Sequence, residues 1–110
     1  MSKRHPELLI EDMLDSAEKI ILYTENLSFD DFISDIKTVD AVIRNFEIIG
    51  EAANKLPEDF REKHEDIDWF RIRGFRNRIV HHYFGIDYKI VWEIKNEYLP
   101  SLIEILKKLK

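Results

Sequence analysis

The sequence SFDDFISDIKTVDAVIRNFEIIGEAANK, from Ser28 to Lys55, decides the fold class because its apolar residues recur every three or four positions. This spacing places apolar side chains on one face of an α-helix. Ser28, with Asp31 three residues later, predicts a capped helix start. We therefore predict one long helix that begins after Ser28 and ends at Lys55, before Pro57. Its apolar stripe comprises Phe29, Phe32, Ile33, Ile36, Val39, Val42, Ile43, Phe46, Ile49 and Ala53.

Similar patterns predict three further long helices on either side of this segment. A glycine inside a helix costs about 1 kcal/mol relative to alanine, so Gly50 indicates either a close approach by another element or a simple kink. No segment alternates between apolar and polar residues over five or more positions. The sequence therefore predicts an all-α bundle of about four main helices in a single domain, residues 1–110. The three further helices run from Pro6 to about Glu25, from Trp69 to about His82, and from a cap at Asp87 to the C terminus with a kink at Pro100. Asp68 is the predicted cap of the second of these, and Gly85, which can take the left-handed conformation, ends it. The polar connection from Pro57 to Glu65 has room for one short helical turn.

Composition excludes several classes of protein. The 110 residues include no cysteine, which excludes a disulfide scaffold and a thiolate metal site. The polar start of the chain is unlike a secretory signal, and no apolar run approaches the length of a membrane span. We expect a cytoplasmic protein without membrane contact. Short chains with long helices often bury a remaining apolar face by pairing, so a homodimer is expected.

Charge is distributed unevenly along the chain. The net charge of −5 argues against a protein that coats nucleic acid through its overall field. The segment 69–86, however, contains four arginines, at positions 71, 73, 76 and 78, and no lysine or acidic residue. Solvated helix faces usually mix charges of both signs. The sequence thus predicts one positive patch on an acidic body.

Within this patch, the run RNRIVHHY from Arg76 to Tyr83 contains the side chains best suited to phosphate chemistry. Arginine neutralises charge that develops on a phosphodiester, and histidine exchanges protons near neutral pH. On a continuous helix, His81 would lie about 140° round from Arg76. The two would meet only if the arginine wrapped round the helix or the helix ended at the histidine. Asn77, four residues before His81, could orient the imidazole.

Cleavage of RNA by internal attack of a ribose 2′-OH needs both a base and an acid. One suitable histidine per chain is too few, and a symmetric dimer with two facing Arg76 and His81 sets would supply both. Arg73, Arg78 and His82 are further candidates for contacts with the RNA backbone. The sequence lacks Glu-x-x-His pairs, a zincin motif, a P-loop and a G-x-G-x-x-G motif, so we expect no metal site and no cofactor.

The spacing Arg76-x4-His81-x-Tyr83 resembles the R-x4-H-x-Y signature of the HepT toxins, which belong to the HEPN superfamily of small helical ribonucleases. The resemblance covers essentially the whole chain. Three further segments carry it: AVIRNFEIIGEAA from Ala41 to Ala53, Trp69 with IRGFRN at positions 72–77, and Ile86-Asp87 followed by Val91-Trp92.

This resemblance implies a HEPN-type homodimer in which the two motifs line a shared cleft and cut RNA without a metal, leaving 2′,3′-cyclic phosphate ends. It assigns phosphate stabilisation to Arg76, general acid–base catalysis to His81 and a supporting role to Asn77. It also implies a type II toxin–antitoxin system, in which a minimal nucleotidyltransferase antitoxin transfers AMP to Tyr83. The alternative is a HEPN module that binds a nucleotide or protein through its arginines and does not catalyse a reaction.

Overall fold

A computed structural model describes residues 5–81 and 85–109, with the backbone alone at positions 76, 77, 80 and 81. The described residues form an all-α bundle with one small hairpin, which confirms the predicted fold class. The helices are α1 (Pro6–Tyr23), α2 (Phe29–Ser34), α3 (Ile36–Lys55), α4 (Glu58–Lys63), α5 (Trp69–Arg73), α6 (Phe75–Ile79), α7 (Tyr88–Glu93) and α8 (Leu99–Lys108), with a π-helical turn at Ile94–Tyr98 and strands β1 (Val80–His81) and β2 (Gly85–Ile86).

The core lies where α1 packs along α3 and where α8 closes over α1. Both long helices bury an apolar stripe, because their large side chains repeat at helical spacing. The short helices α5 and α6 also pack against α3. The segment 69–81, which carries most of the predicted site, is therefore supported by the longest helix of the bundle. Side chains with less than 2% exposure include Phe32, Phe46, Phe75, Met13, Ile20, Ile49 and Leu99.

The predicted single helix from Phe29 to Lys55 is wrong, because the chain breaks at Asp35. The capping box of Ser28 and Asp31 is present and begins α2 as predicted. Asp35 then adopts an extended conformation, and its carboxylate accepts hydrogen bonds from the Thr38 N–H at 3.3 Å and the Thr38 hydroxyl at 2.8 Å. It thus caps a second helix, α3. Ile36, assigned to the apolar stripe, is 73% exposed beside this break.

The predicted helix from Trp69 to about His82 is also interrupted. Asp68 caps its start as expected, but α5 ends before Gly74 and α6 ends at Ile79. The chain then forms an antiparallel hairpin in which residues 80 and 81 pair with 86 and 85, respectively. Gly85 has a φ of 76°, the left-handed conformation expected of it, although it begins a strand here. Two-residue strands are too short to produce a visible alternation in the sequence.

The last predicted helix keeps its cap but contains a change of helix type. The Asp87 side chain accepts the Ile90 N–H at 3.2 Å, which begins α7. Pro100 lies in the first turn of α8, directly after the π-helical turn. Because proline has no N–H and its ring crowds the preceding turn, it interrupts regular α-helical bonding there. None of the helices in the described part of the chain is long and apolar enough to cross a bilayer.

Candidate active site at the α6–β1 junction

The backbone places the predicted catalytic residues on both sides of a helix end. Arg76 and Asn77 lie in α6, whereas His81 lies in β1, after the helix has ended at Ile79. The helix thus ends before the histidine, which was one of the two conditions for Arg76 and His81 to meet. The proposed helical pairing of Asn77 with His81 is wrong in its geometry, because the two residues are not on one helix.

Contact between these side chains stays a prediction. The side chains of Arg76, Asn77 and His81 lie outside the described residues, as do His82 and Tyr83 entirely. The structure describes the backbone at Arg76, Asn77 and His81, together with the side chains that surround it.

Phe75 anchors α6 immediately before Arg76. Its ring is buried and meets Phe46 of α3 edge-on, with centroids 5.3 Å apart. It also packs edge-on against Tyr98 of the π-helical turn, at 6.1 Å. These arrangements are favourable for aromatic pairs because a positive ring edge meets a negative face. The backbone at Arg76 is consequently attached to two different parts of the core.

Helix α5 approaches α3 closely at Gly50. A Cβ atom built on Gly50 would lie 3.4 Å from the Ile72 carbonyl oxygen. Of the two explanations for this helical glycine, a close approach or a kink, the contact favours the first, at the short end of ordinary van der Waals distances. A second link between the same helices comes from Arg73, whose Nε donates a hydrogen bond to Asn54 Oδ1 at 2.6 Å.

The arginines of the basic segment have different surroundings. The Arg71 guanidinium lies over the Tyr98 ring, 4.3 Å from its centroid, and its Nε is buried without a hydrogen-bond partner. Arg73 is exposed and bonded to α3, and Arg78 is exposed. Burial is the main cause that raises the pKa of Tyr98, assisted by the charge of Asp68 and opposed by that of Arg71. Arg71 is thus partly structural, whereas Arg73 and Arg78 remain accessible for a ligand.

Sequence reasoning missed Phe70. This residue lies in the basic segment and is 90% exposed. It borders a shallow cavity of about 520 Å³ together with Asp68, Arg71, Gly74 and Arg78. Its position next to an arginine, in a segment with no acidic residue, was the available signal. Among the side chains that the structure describes, no three His, Asp or Glu residues are grouped closely enough to hold a metal ion.

The fold and this basic junction define a small all-helical protein with a HEPN-type bundle. A family model described as Ribonuclease HepT-like matches residues 13–109, and the chain belongs to this HepT-like ribonuclease family. A protein of Thermococcus cleftensis named "Probable ribonuclease HepT" is 39% identical over 110 residues, covering all of this chain and 99% of the relative.

Two further relatives are similar over nearly the full chain. A "Putative RNase" of Methanocaldococcus jannaschii is 38% identical over 99% of this chain and 90% of its own length. Another protein with that name, from Caldanaerobacter subterraneus subsp. tengcongensis, is 38% identical over 94% of this chain and 93% of its own. No solved structure matches the chain significantly.

Proposed function

We propose that this protein is a metal-independent endoribonuclease and the toxin component of a type II toxin–antitoxin system. The observation that carries the proposal is the HepT-like ribonuclease match, which spans residues 13–109 and includes Arg76, Asn77, His81 and Tyr83. The break in the helix before His81 supports it, because an arginine on α6 and a histidine on β1 are not held to the angular separation of a continuous helix.

The chemistry begins with attack by a ribose 2′-oxygen on the adjacent phosphorus. A base removes the 2′-OH proton, the P–O5′ bond breaks, and an acid gives a proton to the departing 5′-oxygen. The products are a 2′,3′-cyclic phosphate and a 5′-hydroxyl. Arg76 stabilises the negative charge that increases on the phosphoryl oxygens during this step. His81 is the general acid–base group, since an imidazole pKa near 6.5 allows both roles at neutral pH.

Two copies of the chain provide the complete set of catalytic groups in this proposal. Each protomer contributes one His81, so a symmetric homodimer contributes a base and an acid to one cleft. The exposed Arg73 and Arg78 lie in the same segment as the site and add positive charge that attracts an RNA backbone.

The partner is a minimal nucleotidyltransferase antitoxin that modifies Tyr83. The tyrosine oxygen attacks the α-phosphorus of ATP, the bond to the β-phosphate oxygen breaks, and pyrophosphate leaves as the phenolic proton is lost. A nucleotide attached near Arg76 and His81 fills the cleft, and its phosphate repels RNA. The modification therefore inactivates the nuclease.

The test is incubation of purified, unmodified protein with RNA and with DNA of the same sequence in excess EDTA. We expect cleavage of RNA alone, with 2′,3′-cyclic phosphate and 5′-hydroxyl ends on the products. Cleavage that requires a divalent cation, or that also cuts DNA, would contradict the mechanism. RNA binding without any cleavage would favour the HEPN module that binds a nucleotide or protein.

A further inference from the structure

Phe70 is an exposed aromatic residue in the segment 69–86, which contains four arginines and no acidic residue. Its side chain is 90% accessible, although it lies between Trp69, which packs on the core, and Arg71. Burial of a phenylalanine side chain is favourable by about 1.5–3 kcal/mol. A phenylalanine that the bundle leaves this open, on a charged surface, is suited to an interaction outside the bundle.

Phe70, Gly74 and Arg78 line one cavity and are connected through backbone hydrogen bonds of Gly74. The Gly74 N–H donates to the Phe70 carbonyl oxygen and the Arg78 N–H donates to the Gly74 carbonyl oxygen, both at 3.1 Å. The first bond ends α5 and the second begins α6, so Gly74 joins the two helices and lies four residues from both Phe70 and Arg78.

Gly74 lies between Phe70 and Arg78 in the chain and lines the same cavity. It has no side chain, and a Cβ atom there would lie 3.2 Å from the Phe70 carbonyl oxygen. The cavity of about 520 Å³ is thus lined by one aromatic residue, Phe70, and by two arginines, Arg71 and Arg78. We name Phe70, Gly74 and Arg78 the aromatic–arginine face.

We propose that this face binds single-stranded RNA, with an unpaired base stacked on Phe70 and a neighbouring phosphate bound by Arg78. The inference rests on the proposed nuclease function and identifies how the substrate is held beside the site. Stacking on an aromatic side chain tolerates any base, and an arginine next to it binds the backbone. The cavity volume of about 520 Å³ has room for a base.

Charge favours RNA over a second copy of this chain as the occupant. A symmetric contact would bring two identical aromatic–arginine faces together, and the Arg78 charges of both copies would then repel. Asp68 also lines the cavity, but its carboxylate accepts the Arg71 N–H at the start of α5. The two arginines and single aspartate of the lining leave a net positive charge, which attracts phosphate.

The experiment measures binding of a short single-stranded RNA that carries 2′-O-methyl groups and one fluorescent purine. This RNA lacks the attacking 2′-OH and cannot be cut by the proposed mechanism. We expect Phe70→Ala to raise the dissociation constant about tenfold and to abolish quenching of the purine by stacking. Phe70→Trp should restore both the wild-type dissociation constant and the quenching of the purine. Tyr23→Ala, which removes an exposed aromatic ring from the end of α1, is the matched control and leaves both unchanged.

Salt dependence separates the stacking contact from the phosphate contact. Arg78→Ala removes one phosphate contact, so the slope of log affinity against log salt becomes shallower by about 0.7. Phe70→Ala weakens binding equally at every salt concentration. An unchanged slope in Arg78→Ala would contradict the phosphate assignment.

Failure of this inference differs from failure of the proposed nuclease. If the wild type cuts RNA and Phe70→Ala binds it as tightly, the stacking contact is wrong while the nuclease stands. If Phe70→Ala changes from dimer to monomer in sedimentation, Phe70 lies between two copies and the inference is overturned. If the wild type neither binds nor cuts RNA, both proposals fail.

Discussion

Substitutions of Gly50 test how closely α5 is held against α3. In Gly50→Ala, the added Cβ lies 3.4 Å from the Ile72 carbonyl oxygen, an ordinary van der Waals contact. The helix gains about 0.5–1 kcal/mol from replacing glycine. We therefore expect the free energy of unfolding to rise by up to about 1 kcal/mol.

Gly50→Val should have the opposite effect. A β-branched side chain has few rotamers in a helix, so one of its methyl groups presses on α5. Overpacking of this kind costs about 1–3 kcal/mol. Asp40→Val, at an exposed position of α3, controls for the helix propensity of valine. Because α5 carries Phe70 and Arg73, Gly50→Val should also weaken RNA binding by the folded protein.

Urea unfolding of all variants at one protein concentration measures these effects, since dimerisation would make stability concentration-dependent. The urea concentration at which half of the protein is unfolded should shift, while the dependence of the unfolding free energy on urea concentration stays the same. Destabilisation by Gly50→Ala of more than about 1 kcal/mol, or a Gly50→Val variant as stable as its Asp40→Val control, would refute the reasoning from the close approach.

Three smaller predictions concern the elements around the site. Burial raises the pKa of Tyr98 above its ordinary value of 10.0. The stability that the protonated phenol contributes is therefore complete below pH 10.0 and is lost as the pH rises through the shifted pKa. Tyr98→Phe, which cannot ionise, should lose less stability than the wild type when urea unfolding is repeated at increasing alkaline pH. Trp69→Phe removes the indole N–H that donates to the Arg61 and His64 carbonyl oxygens, and should cost about 1–2 kcal/mol by urea unfolding. Ser28→Ala removes the cap of α2 and should lower stability by about 1 kcal/mol, whereas no change would show that α2 does not need its cap.

The helical segments and their capped starts were predictable from the sequence, whereas the breaks within those segments were not. The caps at Ser28, Asp68 and Asp87 were identified because a short polar side chain precedes an apolar run. The break at Asp35 was missed because the apolar period continues through it. Both apolar residues that flank it, Ile33 and Ile36, are exposed, which no periodicity can show.

The sequence indicated a candidate site at the level of residue type and segment, and its residue roles stay predictions. The concentration of arginine after Trp69 identified the basic surface, and the spacing of Arg76 and His81 identified the family. The hairpin that carries His81 was missed, since its pairing depends on contacts between strands of two residues. Phe70 was missed because an aromatic residue in a helix is usually buried, whereas the packing of α5 leaves it exposed.

The most direct test of the central claim compares His81→Ala with the wild type in both RNA cleavage and RNA binding. His5→Ala, which removes an exposed histidine at the start of α1, is the matched control. The account predicts that His81→Ala loses about 10²–10⁴-fold in cleavage rate while it binds RNA as the wild type does, and that His5→Ala cuts normally. Equal cleavage by His81→Ala and the wild type would contradict the assignment of His81 as the general acid–base residue.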